Sequence, residues 1–137
     1  MLLAGVLVAA YYFSQQPPVP AGIALEAPNG RLSCELASTP TERAAGLSNR
    51  TSLCPACCML FSFESSGRHG FWMKDMRFPI DIIWTDENLT VVDVKENVAP
   101  DSYPEVFRPR APARFVLELN AGSAERHDIE IGDRFHF

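Results

Sequence analysis

Phe71-Trp72-Met73-Lys74-Asp75-Met76-Arg77-Phe78-Pro79-Ile80-Asp81-Ile82-Ile83-Trp84 places two tryptophans, a lysine and two aspartates in an otherwise apolar run. Charges are rarely buried without partners, so a strand-like run that keeps Lys74 and Asp81 points to a polar site set into an aromatic wall. Side chains alternate across a strand. Trp72 and Lys74 therefore share a face, and so do Asp81 and Ile83. Ile80, Ile82 and Trp84 take the opposite face, toward a core. The run predicts strands over residues 71–73 and 80–85, broken at Phe78-Pro79.

The flanking sequence repeats this strand-and-turn pattern. Residues 23–27 and 32–36 are short strands around Pro28-Asn29-Gly30, and Asn-Gly is a strong hairpin signal. Thr39-Pro40-Thr41-Glu42 opens a short helix: Thr39 caps it, Pro40 fits its first position, Glu42 closes a capping box and Gly46 stops it. Residues 59–63 read as a strand and 64–70 as a loop. Asp86-Glu87-Asn88 is a turn, and residues 90–95 pair back as a hairpin. Residues 99–112 form a long proline-rich loop, a length that marks a functional or mobile segment. Arg114-Phe115-Val116-Leu117-Glu118-Leu119-Asn120 is a further alternating strand. A helical turn from Ala121 to about Arg126 follows, then a turn at Gly132-Asp133. The expectation is a mostly β domain, a small β-barrel or a sandwich-like fold, with one or two short helices.

The 137 residues suit one such domain plus an N-terminal appendage. Apolar residues at 47% support a real core, to which nine phenylalanines contribute, and eleven prolines argue against long helices. The net charge of -5 disfavours nucleic acid as a partner, because phosphates need a cationic face. The sparse basic spots Arg108 with Arg110 and Arg43 with Arg50 read as solvated surface. Residues 1–13 are apolar and uncharged. They are too short for a bilayer span of about 20 residues and lack the positive residues of a signal peptide. The Tyr11-Tyr12-Phe13 end resembles an aromatic belt, so residues 1–13 are read as a membrane anchor or signal remnant. Residues 14–21 are a proline-rich linker, and residues 22–137 the folded domain. The expected location is extracytoplasmic, membrane-anchored through the N-terminal segment or secreted.

The blocks Glu42-Arg43-Ala44-x-Gly46-Leu47, Met59-Leu60-Phe61-x-Phe63, Phe71-Trp72-Met73-Lys74, Pro79-Ile80-Asp81-Ile82 and Val116-Leu117-Glu118-Leu119-Asn120-Ala121-Gly122 together resemble the DUF192 family, also called UPF0127. Arg50 and Ile131-Gly132-Asp133 agree with it. The resemblance implies a compact, mostly β domain, often preceded by a signal or membrane segment. It implies no reaction.

Three functional readings follow. In the first, Arg50, Lys74, Asp81, Glu118 and Asn120 converge on a cleft walled by Trp72, with Tyr103 on its rim. Mixed aromatic and polar walls suit a carbohydrate, another small polar ligand or an envelope partner. A structural network of the same groups, with Lys74 neutralising Asp81, is the alternative. In the second, Cys34, Cys54, Cys57 and Cys58 carry thiol or metal chemistry. In an oxidising compartment four cysteines more simply form disulfides, with three possible pairings. A bridge from Cys34 to the Cys54–Cys58 cluster is favoured, because it staples the first hairpin to the loop after the helix. His69, His127 and His136 are scattered, so no metal site is assigned, and no cofactor is implied. In the third, Asp81 and Glu118 are the acid and base of a weak hydrolase.

Overall fold

Six strands and two short helices make up the domain: β1 (Ile23–Glu26), β2 (Arg31–Ala37), α1 (Pro40–Ala45), β3 (Cys57–Gly67), β4 (Ile80–Thr85), β5 (Val91–Val98), β6 (Ala113–Asn120) and α2 (Ser123–Arg126). The computed structural model describes residues 22–137. The anchor and linker expectations for residues 1–21 lie outside the described residues. No described helix is long and apolar enough to cross a membrane.

The strands form one sheet in the order β1-β2-β3-β6-β4-β5. Only β2 and β3 run parallel. A parallel pair needs a crossover connection, and residues 38–56 supply it, with α1 inside. The α1 start forms as its sequence dictates. Thr39 accepts from the Glu42 N–H at 3.1 Å, and Glu42 Oε2 accepts from the Thr39 N–H at 3.0 Å. The backbone N–H of Ser38, then that of Thr39, holds the Glu42 carboxyl below its ordinary range. Gly46, at φ 49°, ends the helix and packs toward Phe61.

The sheet does not close on itself, so the sandwich-like alternative describes it and the barrel does not. The C-terminal segment lies between its two edges instead. His136 bridges to Glu26 ahead of β2, and Arg134 bridges to Thr90 beside β5.

Both faces of the central strands are covered. Leu60, Ile83, Leu117 and Leu119 face one cluster, closed by Ile129 and Phe135. Phe61, Ile82, Trp84 and Val116 face the other, closed by Leu47, Phe71 and Met73. Every residue of β4 is buried. Such two-sided burial explains the near-continuous apolar runs of β4 and β6. Of the phenylalanines, Phe61, Phe71 and Phe135 are buried while Phe137 is 78% exposed, so aliphatic side chains carry more of the core than the phenylalanine count suggested.

Two local expectations are corrected. β3 continues through residues 64–67, past a register shift between Ser62 and Gly67, where a loop was expected. Residues 71–73 are not a strand: only Phe71 pairs, in an isolated bridge to Phe107, because the chain turns at Met73–Met76 with Asp75 at φ 58°.

All four cysteines are bridged. Cys34 and Cys58 are register partners on β2 and β3, with Cα atoms 4.4 Å apart. Cys54 and Cys57 close the turn before β3. The first bridge closes a loop with a sequence separation of 24, a constraint of roughly 3 kcal/mol in the chain-entropy picture.

Candidate functional site

β6 lies between β3 and β4, and its register fixes where Glu118 points. Glu118 stands opposite Met59 on β3 and Ile82 on β4. Cross-strand partners share a face. Glu118 therefore projects onto the face that carries Met59, Phe61 and Ile82, and α1 stands opposite that face across a gap. Between them lies a cleft of about 270 Å³. Glu118 is at its floor, 5% exposed.

The walls are aromatic. Phe61 and Phe71 meet edge to face at 5.0 Å, and Phe63 and Phe71 at 6.2 Å. Trp72 and Met76 extend the wall outward. Trp72 is 48% exposed and packs edge-on against Tyr103 at 5.2 Å. Two cations complete the lining. Lys74 Nζ sits 5.8 Å from the Trp72 ring. The Arg43 guanidinium lies 5.0 Å over Phe63, and its Nη1 donates to the carbonyls of Ser38 and Ser62 at 2.5 and 3.0 Å. The ion pairs among the described residues are Arg31–Glu26, Arg50–Glu35 and Arg110–Asp93, so neither cleft cation is matched by a carboxylate.

The electrostatics of Glu118 follow from this setting. Burial pushes its carboxyl up to about 8, and burial is the only cause. No donor among the described residues holds the charged form. At neutral pH the cleft floor is thus mostly a neutral carboxylic acid, able both to donate and to accept a hydrogen bond.

The expected site residues separate into three groups. Trp72, Lys74 and Glu118 line the cleft, and Tyr103 buttresses Trp72. Arg50 and Asn120 are engaged elsewhere: Arg50 pairs with Glu35, and Asn120 Nδ2 donates to the carbonyls of Leu53 at 2.8 Å and Cys54 at 3.2 Å. Asp81 is on the opposite face of the sheet. It stands opposite Leu119, one residue out of step with Glu118, and its oxygens accept from the N–H groups of Asn97 and Ala124, each at 2.9 Å. Lys74 accordingly does not neutralise Asp81, and Asp81 and Glu118 do not face each other as an acid–base pair.

Arg43 was expected to be plain surface and is instead half-buried over Phe63. It lies in the last turn of α1 and reaches the Ser62 carbonyl of β3, a contact between distant parts of the chain that no local sequence signal announces. Among the described residues, no three His, Cys, Asp or Glu side chains converge as a metal-binding set.

The DUF192 family, described as "Uncharacterized ACR", matches residues 23–137. The chain belongs to the DUF192 family. Among curated proteins none matches the sequence. Two crystal structures are similar. One is a protein of Sinorhizobium meliloti 1021, provisionally called a transcription regulator, at 30% identity and TM-score 0.78 over 82% of this chain and 91% of that one. The other is a protein of unknown function from Novosphingobium aromaticivorans DSM 12444, at 30% identity and TM-score 0.77 over 88% and 90%. In this DUF192 domain, four of the sequence blocks that carried the family resemblance meet at one place: Arg43 and Gly46, Phe61 and Phe63, Trp72 and Lys74, and Glu118 all line the cleft.

Proposed function

We propose that this domain is a binding module that works outside the cytoplasm, tethered or secreted, and takes a small polar ligand in the cleft between α1 and the sheet. One observation carries the reading. Glu118 is a buried carboxyl with no hydrogen-bond partner among the described residues, and it opens into the cleft. Buried polar groups ordinarily have partners, and one that lacks them at a cavity floor has its hydrogen-bonding capacity free for a ligand. The two disulfides support an oxidising compartment.

Other readings find less support. Hydrolysis by two carboxylates loses its second member, because Asp81 is committed on the far face. Thiol chemistry finds all four cysteines bridged. The regulator label of the Sinorhizobium relative would require a cationic surface for nucleic acid. Here Arg110 is paired with Asp93, Arg108 donates to the Arg68 carbonyl, and the chain carries -5.

A thermal-shift screen of metabolites and glycans on the disulfide-intact protein tests the proposal. A ligand at one hundred times its Kd stabilises by about 2.7 kcal/mol, a shift that is easily read. The expected result is stabilisation that disappears in Trp72→Ala while the melting point of that variant alone stays near wild type. A stabilisation that survives Trp72→Ala and Glu118→Gln, or a screen with no stabilising compound, would overturn it.

A further inference from the structure

The cleft combines three features that restrict what it can hold. Its floor is a single carboxyl set among apolar neighbours, its walls are aromatic rings, and it is lined by two cations that no carboxylate among the described residues matches. Of the other acids nearby, Asp75 follows Lys74 in the chain and points to solvent outside the cleft lining, and two more are committed. The Glu42 carboxylate accepts from the N–H groups of Ser38 and Thr39, and Glu35, on the same sheet face, holds Arg50. Acids elsewhere on the chain act weakly here, because exposed charges beyond about 8–10 Å are screened at physiological salt. With Glu118 protonated, the charged side chains that line the cleft are thus both cationic, in a chain whose net charge is negative.

We infer that the ligand is a small organic anion: one ring, sugar or aromatic, bearing a carboxylate. This deepens the binding reading and rests on it. The ring lies against Phe71 and Trp72, the carboxylate meets Lys74 and Arg43, and an oxygen at the inner end of the ligand hydrogen-bonds the Glu118 carboxyl. The size agrees. A cleft of about 270 Å³ lies just below the roughly 300–1,000 Å³ of sites for drug-sized molecules, so a single ring is the natural occupant.

The groups facing Glu118 give the inference a pH signature. Arg43 on α1 and Lys74 in the 70–76 segment line the same cleft as Glu118, while its strand neighbours Met59 on β3 and Ile82 on β4 are apolar. With Glu118 neutral the cleft carries two positive charges, and with Glu118 ionised it carries one. An anionic ligand therefore binds best below about 8, where burial keeps Glu118 protonated, and loses affinity above it.

Calorimetric titration with matched probes tests this: benzoate, benzyl alcohol and benzylamine on one ring, and glucuronate, glucose and glucosamine on the other. The expected result is that an anion binds more tightly than the neutral and cationic probes on its own ring. Its affinity should fall as pH rises from 7 to 9, and Glu118→Gln should abolish that fall. Lys74 is exposed and holds no protein carboxylate, so Lys74→Glu should leave the melting point unchanged. It should weaken the anion about tenfold while favouring the matched cation, as loss of one exposed charge contact and gain of a repulsive one require. If a neutral or cationic probe binds tightest, or Lys74→Glu leaves the preference unchanged, the anion inference falls and the binding reading stands. If no probe binds, the anion inference falls, and the binding reading falls with it only when the metabolite screen is also silent.

Discussion

Replacing Glu118 by Gln should make the protein more stable at neutral pH, and by an amount that depends on pH. The side chain keeps its shape and loses its charge. Burial places the folded-state carboxyl at about 8, against an ordinary value of 4.5 for a solvated glutamate. Between those values the folded protein holds a proton that the unfolded chain has released. Stability therefore falls as pH rises through this window and levels off above about 8. Neutral pH stands about 2.5 pH units above the unfolded value, and each unit is worth about 1.4 kcal/mol, so wild type gives up about 3 kcal/mol at pH 7. At pH 4 it gives up almost nothing. For a domain of this size the difference at pH 7 amounts to about 10 °C in Tm. Urea melts followed by circular dichroism at pH 4, 7 and 8.5, with the disulfides intact, read it directly. Wild type and Glu118→Gln should have similar stability at pH 4 and diverge by about 3 kcal/mol at pH 7. A variant less stable than wild type at pH 7, with a difference that does not change with pH, would mean that the folded protein satisfies the carboxylate and that the cleft floor is not free.

Other perturbations separate structural groups from the cleft. Asp81→Ala removes two charge-assisted hydrogen bonds, accepted from the N–H groups of Asn97 and Ala124; at about 1.5–3 kcal/mol each it should cost about 3–6 kcal/mol in urea melts, and a loss under about 1 kcal/mol would contradict the assigned role. Trp72→Ala, at a half-exposed position, should cost less than about 1 kcal/mol; global unfolding would make Trp72 part of the core instead. Graded reduction with alkylation, mapped by mass spectrometry, should label Cys54 and Cys57 before Cys34 and Cys58, because Cys54 is half-buried while Cys34 and Cys58 are fully enclosed. Earlier labelling of Cys34 would count against that order.

Where local chemistry decides structure, the sequence was readable. The Thr39–Glu42 capping box, the Asn29-Gly30 hairpin and the strands at 80–85 and 114–120 all form close to where their residues imply. The bridge from Cys34 to the cysteine cluster also follows from stapling β2 to what comes after the helix. What stayed hidden depends on partners distant in the chain. Nothing near Ser62 announces that β3 runs on to Gly67, because that extension is held by Ala113, far along the chain. The segment at 71–73 has the alternation of a strand, yet no strand lies beside it except at Phe107. Arg43 looks solvated until the crossover sets it over Phe63.

The same principle explains why two acids in the central strands have opposite roles. Asp81 and Glu118 lie on adjacent strands, and the sequence gives each an apolar setting. Their side chains would share a cleft if β4 and β6 paired one residue differently. The observed register sets Glu118 against Ile82 and Asp81 against Leu119. A one-residue slip reverses the face of every side chain on a strand. Asp81 therefore meets the start of α2, where the Ala124 N–H needs an acceptor. Glu118 meets α1 across a gap, where no donor reaches it. Packing fixes that register more firmly than either acid could, since Ile80, Ile82 and Trp84 must all turn toward the cluster beneath α1. The hydrophobic pattern of β4 thus determines which carboxyl becomes a structural cap and which is left at the cleft floor.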